Sequence, residues 1–389
     1  MNIRIIGSTK YGYVLPTEDA HIFSGHASAI CYMKGTYDKV IDEPKEKTFE
    51  RLKGNIEKGH HSVTGHVQYN LYLENIPKIL AMFLNNEGIY NTSEKSARYT
   101  DMVPLDEEKE IYEKWKSILS DLISEKMKID EKYSRIDKRM FHTLVNENAR
   151  YMISIFNPYV SMEYTASLQQ LNYINYFSKL FVNKNKDSDD PFLKKCSEVL
   201  SEFSSKMPDI FSIPNLNPEA KSREFSLIGK RRHYTEFGEN FSINYEMSFA
   251  CFAQSHRHRR DKCEFMLKEE PKFYVPEIIK GTKYEEDWLK DISSLAHLYP
   301  QGMLIDVNER GTIEDFVLYC KERLCGRAQL EIALKTKEAM ARYIEEVKDK
   351  PLLYNYLLPY THGPKCTFYD FTCKEKCIFG PKYGTDRIL

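Results

Sequence analysis

The chain opens on a short apolar run, Ile3 to Ile6, that predicts a first strand, and helical spacing follows over residues 20–33. In the charged segment 43–58, Phe49, Leu52 and Ile56 recur at intervals of three and four. That spacing predicts a solvated amphipathic helix, stopped by Gly59. Val67, Tyr69, Leu71 and Leu73 then alternate with polar residues, the period of a half-buried strand. After Ile76-Pro77 a helical run over 79–84 leads into a polar loop, 85–92. Residues 107–150 read as charged helix, Pro158 interrupts the pattern, and residues 161–180 carry the spacing of another apolar-faced helix. A polar, turn-rich run at 183–190 precedes a helix over 192–206.

Pro208, Pro214 and Pro218 mark a candidate domain boundary, and a second half starts near Lys221. It holds a loop-rich section with Pro271 and Pro276, then Leu298-Tyr299-Pro300-Gln301-Gly302. The strongest helical pattern of the chain runs from Thr312 to about Val347. Thr312 and Asp315 resemble a capping box at its start, and Pro351 bounds its far end. Short strands among long helices predict an α+β fold.

Composition narrows the classes. With 389 residues and 42% hydrophobic content there is material for two or three domains with real cores. The 56 basic and 57 acidic residues nearly cancel, which argues against general polyanion binding, so no nucleic-acid partner is expected. No apolar run approaches the roughly 20 residues of a membrane span, and the amino terminus reads as a strand rather than a signal. A cytoplasmic protein is therefore expected, its nine cysteines reduced.

Four stretches carry candidate chemistry. In Gln254-Ser255-His256-Arg257-His258-Arg259-Arg260, helical spacing would put Gln254, Arg257 and His258 on one face, an arrangement suited to a phosphorylated ligand. Taken alone, such a cluster reads first as a solvated or RNA-facing patch. Glu94, Ser96 and Arg98 alternate: an extended backbone would present them as acceptor, hydroxyl and cation to a nucleotide, whereas a helix start would make Ser96 a cap. His60, His61 and His66 lie close together, but no cysteine or carboxylate stands at usual ligand spacing, so no metal is expected there. Cys366, Cys373 and Cys377 lack the paired C-x-x-C pattern and would need a fourth ligand such as His362; structural thiols are the expectation.

Together these stretches resemble the flavin-dependent thymidylate synthases, whose motifs read H-x-S-x-x-E-H, R-H-R-x-x-S-x-N-E-x-S-x-R preceded by a glutamine, A-R, and R-x-x-x-x-A-Q-x-E-I on a long helix. The pieces are divided between two halves. His60, Ser62 and His66 match the histidine motif, Glu94, Ser96, Arg98 and Tyr99 the E-x-S-x-R part, and Ala149-Arg150 the A-R. This half has Asn86-Glu87-Gly88 where R-H-R should stand, and it lacks the A-Q-x-E-I helix. The other half keeps Gln254, Arg257-His258-Arg259, Arg323 and Ala328-Gln329-Leu330-Glu331-Ile332. It reads Leu267-Lys268-Glu269 at S-x-R and Ala296 at A-R. Such complementary loss suggests two tandem family-like copies, residues 1–206 and 221–350, followed by a cysteine-containing tail, 351–389. Each copy would be a small mixed sheet flanked by long helices, and the two would form a pseudodimer with one composite site.

The resemblance implies methylation of dUMP at C5, with FAD as cofactor and NADPH and methylenetetrahydrofolate as co-substrates. It places Glu94, Ser96, Arg98, Arg150, Gln254, Arg257 and Arg323 on dUMP, and Ser62, Arg257, His258, Arg259 and Gln329 on FAD, with His60 and Arg323 catalytic. The family's tetramers imply a homodimer here. Gly65 stands in place of the histidine motif's glutamate, and Glu236 of the second half falls near the equivalent place. Alternatives are a relative that installs another one-carbon group such as hydroxymethyl, or a nucleotide-binding scaffold without activity.

Overall fold

The computed structural model describes residues 1–9, 16–30, 36–213, 224–255, 262–374, 377 and 379–389. In chain order its elements begin β1 (Asn2–Ser8), α1 (Thr17–Ala29), α2 (Asp38–Ile41), α3 (Lys45–Glu57), β2 (Gln68–Ile76), α4 (Lys78–Asn85) and β3 (Tyr90–Glu94). They continue α5 (Asp106–Ile129), α6 (Lys138–Ala149), β4 (Val160–Ser167), α7 (Leu168–Asn185) and α8 (Pro191–Lys206). The remainder are β5 (Glu236–Phe237), β6 (Asn240–Ser248), α9 (Phe249–Ser255), β7 (Lys262–Leu267), α10 (Glu285–Ser294), β8 (Leu304–Thr312), α11 (Ile313–Arg323), α12 (Leu330–Glu346), α13 (Pro351–Leu357) and α14 (Gly380–Tyr383).

These elements form two compact units, each discontinuous in sequence: residues 1–95 with 158–225, and 96–157 with 226–389. Each unit holds one four-stranded sheet, ordered β1-β2-β4-β3 in the first and β5-β6-β8-β7 in the second. Both are antiparallel throughout, not mixed. The reason is the path of the chain. β2 and β3, joined through α4, run the same way, but the later strand β4 inserts between them in the opposite sense; β8 does the same between β6 and β7. Among the named strands no side-by-side parallel pair results, although Ile228 makes an isolated parallel bridge to Phe265 of β7.

In the first unit, Tyr69, Leu71 and Leu73 of β2 oppose Ala166, Tyr164 and Met162 of β4, and all six are buried. Val160, Met162, Tyr164 and Ala166 alternate with half-exposed neighbours, so the predicted helix over 161–180 is instead a strand followed by α7. The β-branched and aromatic content of residues 160–165 favours the pleated surface over a helix. The expected loop at 85–92 gives way to β3 at Tyr90 for the same reason: β4 supplies a ladder partner. α1 ends at Ala29, and Met33 lies outside the described residues. α3 runs as expected, burying Leu52 and Ile56, and Gly59 after it takes φ +80°, a conformation that favours glycine.

In the second unit the two tryptophans of the chain meet edge to face, Trp115 of α5 against Trp288 of α10, with ring centroids 4.8 Å apart. Both indoles are paired, Trp115 Nε1 with Asp291 and Trp288 Nε1 with the Tyr274 carbonyl, each at 2.9 Å, as burial requires. The segment after α6 also pairs with the segment before β8. Gly302 N donates to Tyr151 O, Gln301 N to Ile153 O, and Ile155 N to Tyr299 O, at 2.8, 2.8 and 3.0 Å. Gly302 must be glycine, because a Cβ there would stand 2.6 Å from Ile292 Cδ1 and 3.0 Å from Tyr151 Cβ.

The helix expected over 312–347 is broken into α11 and α12, with an irregular stretch from Leu324 to Gln329. Gly326 sits in that break, where the C-terminal segment passes close: a Cβ on it would lie 3.1 Å from Phe379 and 3.2 Å from Cys377 Sγ. Thr312 caps α11 as expected, its Oγ1 accepting from Asp315 N at 3.3 Å. Among the described residues, no helix is long and apolar enough to cross a membrane.

Candidate functional site

The second unit gathers motif residues from both halves of the sequence. From the first half it takes Ser96, Arg98 and Arg150. Ser96 is neither an extended-strand position nor a helix cap; it starts a turn, with Tyr99 N donating to its carbonyl at 3.2 Å and Arg98 N to its Oγ at 3.3 Å. The turn ends β3's direction and aims Arg98 at α6, where its Nε stands 2.6 Å from Glu147 Oε2. Asp137 caps α6 by accepting from Met140 N at 2.7 Å, so the helix is in register when it presents Glu147 and, one turn on, Arg150.

From the second half come Gln254, Arg323 and Gln329. Arg323 closes α11 and donates from Nη2 to the Gln254 carbonyl at 2.7 Å. Because the helix breaks after it, Gln329 turns inward at the N-terminus of α12, where its side-chain oxygen accepts from Gln254 Nε2. Gln329 Nε2 donates to Tyr151 OH at 2.6 Å, and that hydroxyl donates to Glu331 at 2.9 Å. Ser248, the last residue of β6, donates to Glu331 through both N and Oγ, at 2.8 and 2.6 Å. Glu147 caps α12, accepting from Leu330 N at 3.0 Å, a favourable place for a carboxylate. Two amides, a phenol and the Glu331 carboxylate thus fix one another, and the amides can adopt only the flip this chain permits.

The two carboxyl groups are pushed in opposite directions. Burial alone would raise Glu147, but the guanidiniums of Arg98, Arg387 and Arg150 outweigh it and hold the group below the usual carboxylate range. For Glu331 burial wins over the hydrogen bonds from Ser248 and Tyr151, and its pKa is raised. The net result is a cluster with more cations than anions. Arg150 is 6% exposed, and its Nε and Nη2 have no hydrogen-bond partner. An anion with several oxygens is the group that would satisfy them. The nearby Cys251 thiol is pushed well above its ordinary value by burial, so the cluster offers no ready thiolate nucleophile.

The other expected residues fall elsewhere. His60 and Ser62 are exposed and lie in the first unit, at a 3-10 turn spanning His61–His66. His60 lines a cleft of about 590 Å³ with Lys39, Glu43, Lys47, Arg51 and Lys58. His61 is a packed residue, its ring nitrogens 2.8 Å from Tyr173 OH and 3.2 Å from the Ile56 carbonyl. Glu94 ends β3, where its carboxylate takes the buried Lys78 ammonium and, at 3.3 Å, the Asn85 amide. Arg257, His258 and Arg259 lie outside the described residues. Glu236 stands exposed in β5, paired with Ser242.

A cleft of about 700 Å³ over the second sheet is lined by Arg231, His233, Glu264, Lys268 and Asp306. Its charges already answer one another: Arg310 and His233 meet Glu264, and Lys268 meets Asp306 and Glu246. Burial raises the Cys366 thiol, with Cys373, Cys377 and Cys325 close enough to add to the effect. Among the described residues, no group of three or more His, Cys, Asp and Glu side chains is arranged to hold a metal ion.

Three contributors escaped sequence reasoning. Glu147 precedes Arg150 by one helical turn, and that spacing was a usable signal for an ion-pair partner. Tyr151 and Arg387 carried none, since only the tertiary structure brings them to the cluster.

Residues 16–180 match the family model described as thymidylate synthase complementing protein. No curated protein sequence matches the chain. Among solved structures, the flavin-dependent thymidylate synthase ThyX from Helicobacter pylori, complexed with FAD and dUMP, is 16% identical, with 56% of this chain covering 100% of that one at a TM-score of 0.31. A second structure of ThyX from Helicobacter pylori with FAD and dUMP is 17% identical, with 55% of this chain covering 96% of that one at a TM-score of 0.28. Both scores are too low for a shared fold to follow from them.

Proposed function

We propose, on the match of residues 16–180 to the family model described as thymidylate synthase complementing protein, that the chain is a flavin-dependent thymidylate synthase that methylates dUMP at C5. The observation that carries this reading is the buried cluster. Arg98 and Arg150 from one half and Gln254, Arg323 and Gln329 from the other come together in one compact unit, with unpartnered guanidinium nitrogens on Arg150. A nucleotide monophosphate, with up to about two negative charges and a ring of hydrogen-bonding edges, fits such a donor set.

In this reading Arg98 and Arg150 hold the phosphate. Ser96 adds a hydroxyl there, while Gln254 and Arg323 bond and orient the uracil, with Gln329 holding the Gln254 amide in place. Glu94 is not an open acceptor for a nucleotide, since Lys78 and Asn85 occupy its oxygens. Arg257, His258 and Arg259 would hold FAD, matching the anionic character of its reduced ring with fixed cations. Bound FAD would supply the electrons that turn the transferred carbon into a methyl group, and NADPH and methylenetetrahydrofolate are the proposed sources of electrons and carbon. The cationic cleft beside His60 suits an anionic co-substrate of that kind. The protein needs no nucleophile of its own, in keeping with the raised Cys251 thiol.

The repeated strand order of the two sheets supports a chain built of two family-like copies, 1–206 and 221–350, with a tail from 351. Two such chains would pair as a homodimer in the cytoplasm. Gly65, where the family motif has glutamate, favours one second reading: a changed carbon-donor step that leaves hydroxymethyl on the pyrimidine. The test is the visible absorption of the purified protein with FAD, followed through a dUMP titration and then by the product mass after turnover. A flavin band that shifts with dUMP and a methylated product support the proposal. A hydroxymethylated product selects the second reading, and a protein that binds neither ligand removes both and leaves a scaffold.

A further inference from the structure

Residues 386–389, past the tail cysteines Cys366, Cys373 and Cys377, lie at the cluster. Leu389 is buried, Ile388 N donates to Tyr133 OH at 3.0 Å, and Lys132 Nζ donates to the Asp386 carbonyl at 2.6 Å. Between them Arg387 is 5% exposed. One of its nitrogens, Nη2, donates to the Ala328 carbonyl at 2.6 Å, and the guanidinium lies 4.9 Å from the Phe379 ring centroid. Its Nε and Nη1 have no hydrogen-bond partner. Arg387 also stands close enough to Glu147 and Arg98 for their charges to act on one another.

The buried guanidiniums of Arg150 and Arg387 and the half-buried one of Arg98 therefore share one carboxylate held ionised, Glu147. The other buried carboxyl near Arg150, Glu331, is already engaged by Ser248 and Tyr151. Buried like charges repel and are costly to desolvate, so an unmatched surplus is retained where a ligand balances it. A phosphate dianion carries about that charge and has oxygens for the unpartnered donors on Arg150 and Arg387.

We propose that the C-terminal segment completes the phosphate subsite of the cluster, with Arg387 as a phosphate-binding residue supplied from beyond the family-like region. This rests on the nucleotide reading above for the identity of the ligand, but not for the presence of an anion site. Seating of the tail and binding of the phosphate are then coupled, and each strengthens the other. A purely structural Arg387 would bolt the tail to Ala328 without any such coupling.

The experiment compares the full chain with Arg387→Ala and Arg387→Lys, using dUMP, its phosphate-free analogue deoxyuridine, and inorganic phosphate as probes in calorimetric titration and thermal unfolding. Arg387→Ala should weaken dUMP binding by about ten- to a hundredfold, remove the stabilisation given by inorganic phosphate, and leave deoxyuridine affinity within about twofold. Arg387→Lys should recover part of the loss. In the wild-type chain, phosphate should slow hydrogen exchange of residues 386–389, a readout that does not depend on any variant folding. Equal losses for dUMP and deoxyuridine, an unchanged phosphate response in Arg387→Ala, or exchange at 386–389 that phosphate does not alter would each overturn the proposal. A wild-type chain that binds phosphate through Arg387 but rejects dUMP would instead overturn the nucleotide reading and keep the anion site.

Discussion

Two cation-rich places in this chain differ in what surrounds their charge. In the second unit Arg98, Arg150 and Arg387 are largely out of water around Glu147. In the first unit Lys39, Lys47 and Lys58 line the His60 cleft as exposed groups, and Glu43 pairs with both Lys47 and the half-buried Arg51. The comparison teaches that formal charge says little by itself. Hydrated lysines cost almost nothing to keep and bind anions weakly, whereas buried guanidiniums demand a counter-ion of defined shape.

The largest effect should come from removing the one carboxylate that answers the buried arginines. Glu147→Ala should destabilise the protein by about 3–5 kcal/mol in chemical denaturation, because it leaves guanidiniums unmatched and α12 uncapped. A loss under about 1 kcal/mol would mean that water reaches the cluster and the contrast between the two places is false.

Next in size, Arg150→Ala and Arg98→Ala should each weaken dUMP binding by about a hundredfold while the flavin spectrum with FAD survives. A variant that lost flavin but kept dUMP affinity would reverse the roles assigned to the two halves. The same substitutions at Lys39 or Lys58 should change dUMP affinity by no more than about twofold.

The smallest effect concerns Glu43, held down to about 2 by its hydrogen bonds to Arg51. Its pKa is lower folded than unfolded, so the pair adds stability above the unfolded value of 4.5 and loses it as pH falls through about 2. Glu43→Gln should therefore cost about 1 kcal/mol at neutral pH and progressively less in acid. Glu147 follows the same sign, its pKa also being lowered, so acid should weaken both places together. A penalty for Glu43→Gln that grew toward low pH would sink the assignment.

Much of the fold was legible where periodicity was long. The strand at Tyr69, Leu71 and Leu73, the helix carrying Leu52 and Ile56, and the Thr312 cap all stand where the pattern put them. Residues 160–167 were misread because a short alternating run beside a helical one looks like a single helix until a partner strand claims it. The break between Arg323 and Leu330 was hidden by good helix formers on both sides. In the folded chain the C-terminal segment passes close to Gly326 within that break, and Glu147 caps the helix that restarts at Leu330.

By itself, then, the sequence determined which side chains are available: arginines, amides and carboxylates at helical spacings. Local spacing decides such things because helices and strands have fixed periods. The tertiary structure alone decided that residues 96–157 share a compact unit with 226–389, that Glu147 is the carboxylate among the arginines, and that Arg387 reaches them from the far end of the chain. Those contacts join residues far apart in sequence, and what selects them is burial and charge balance over the whole unit, which no local pattern encodes.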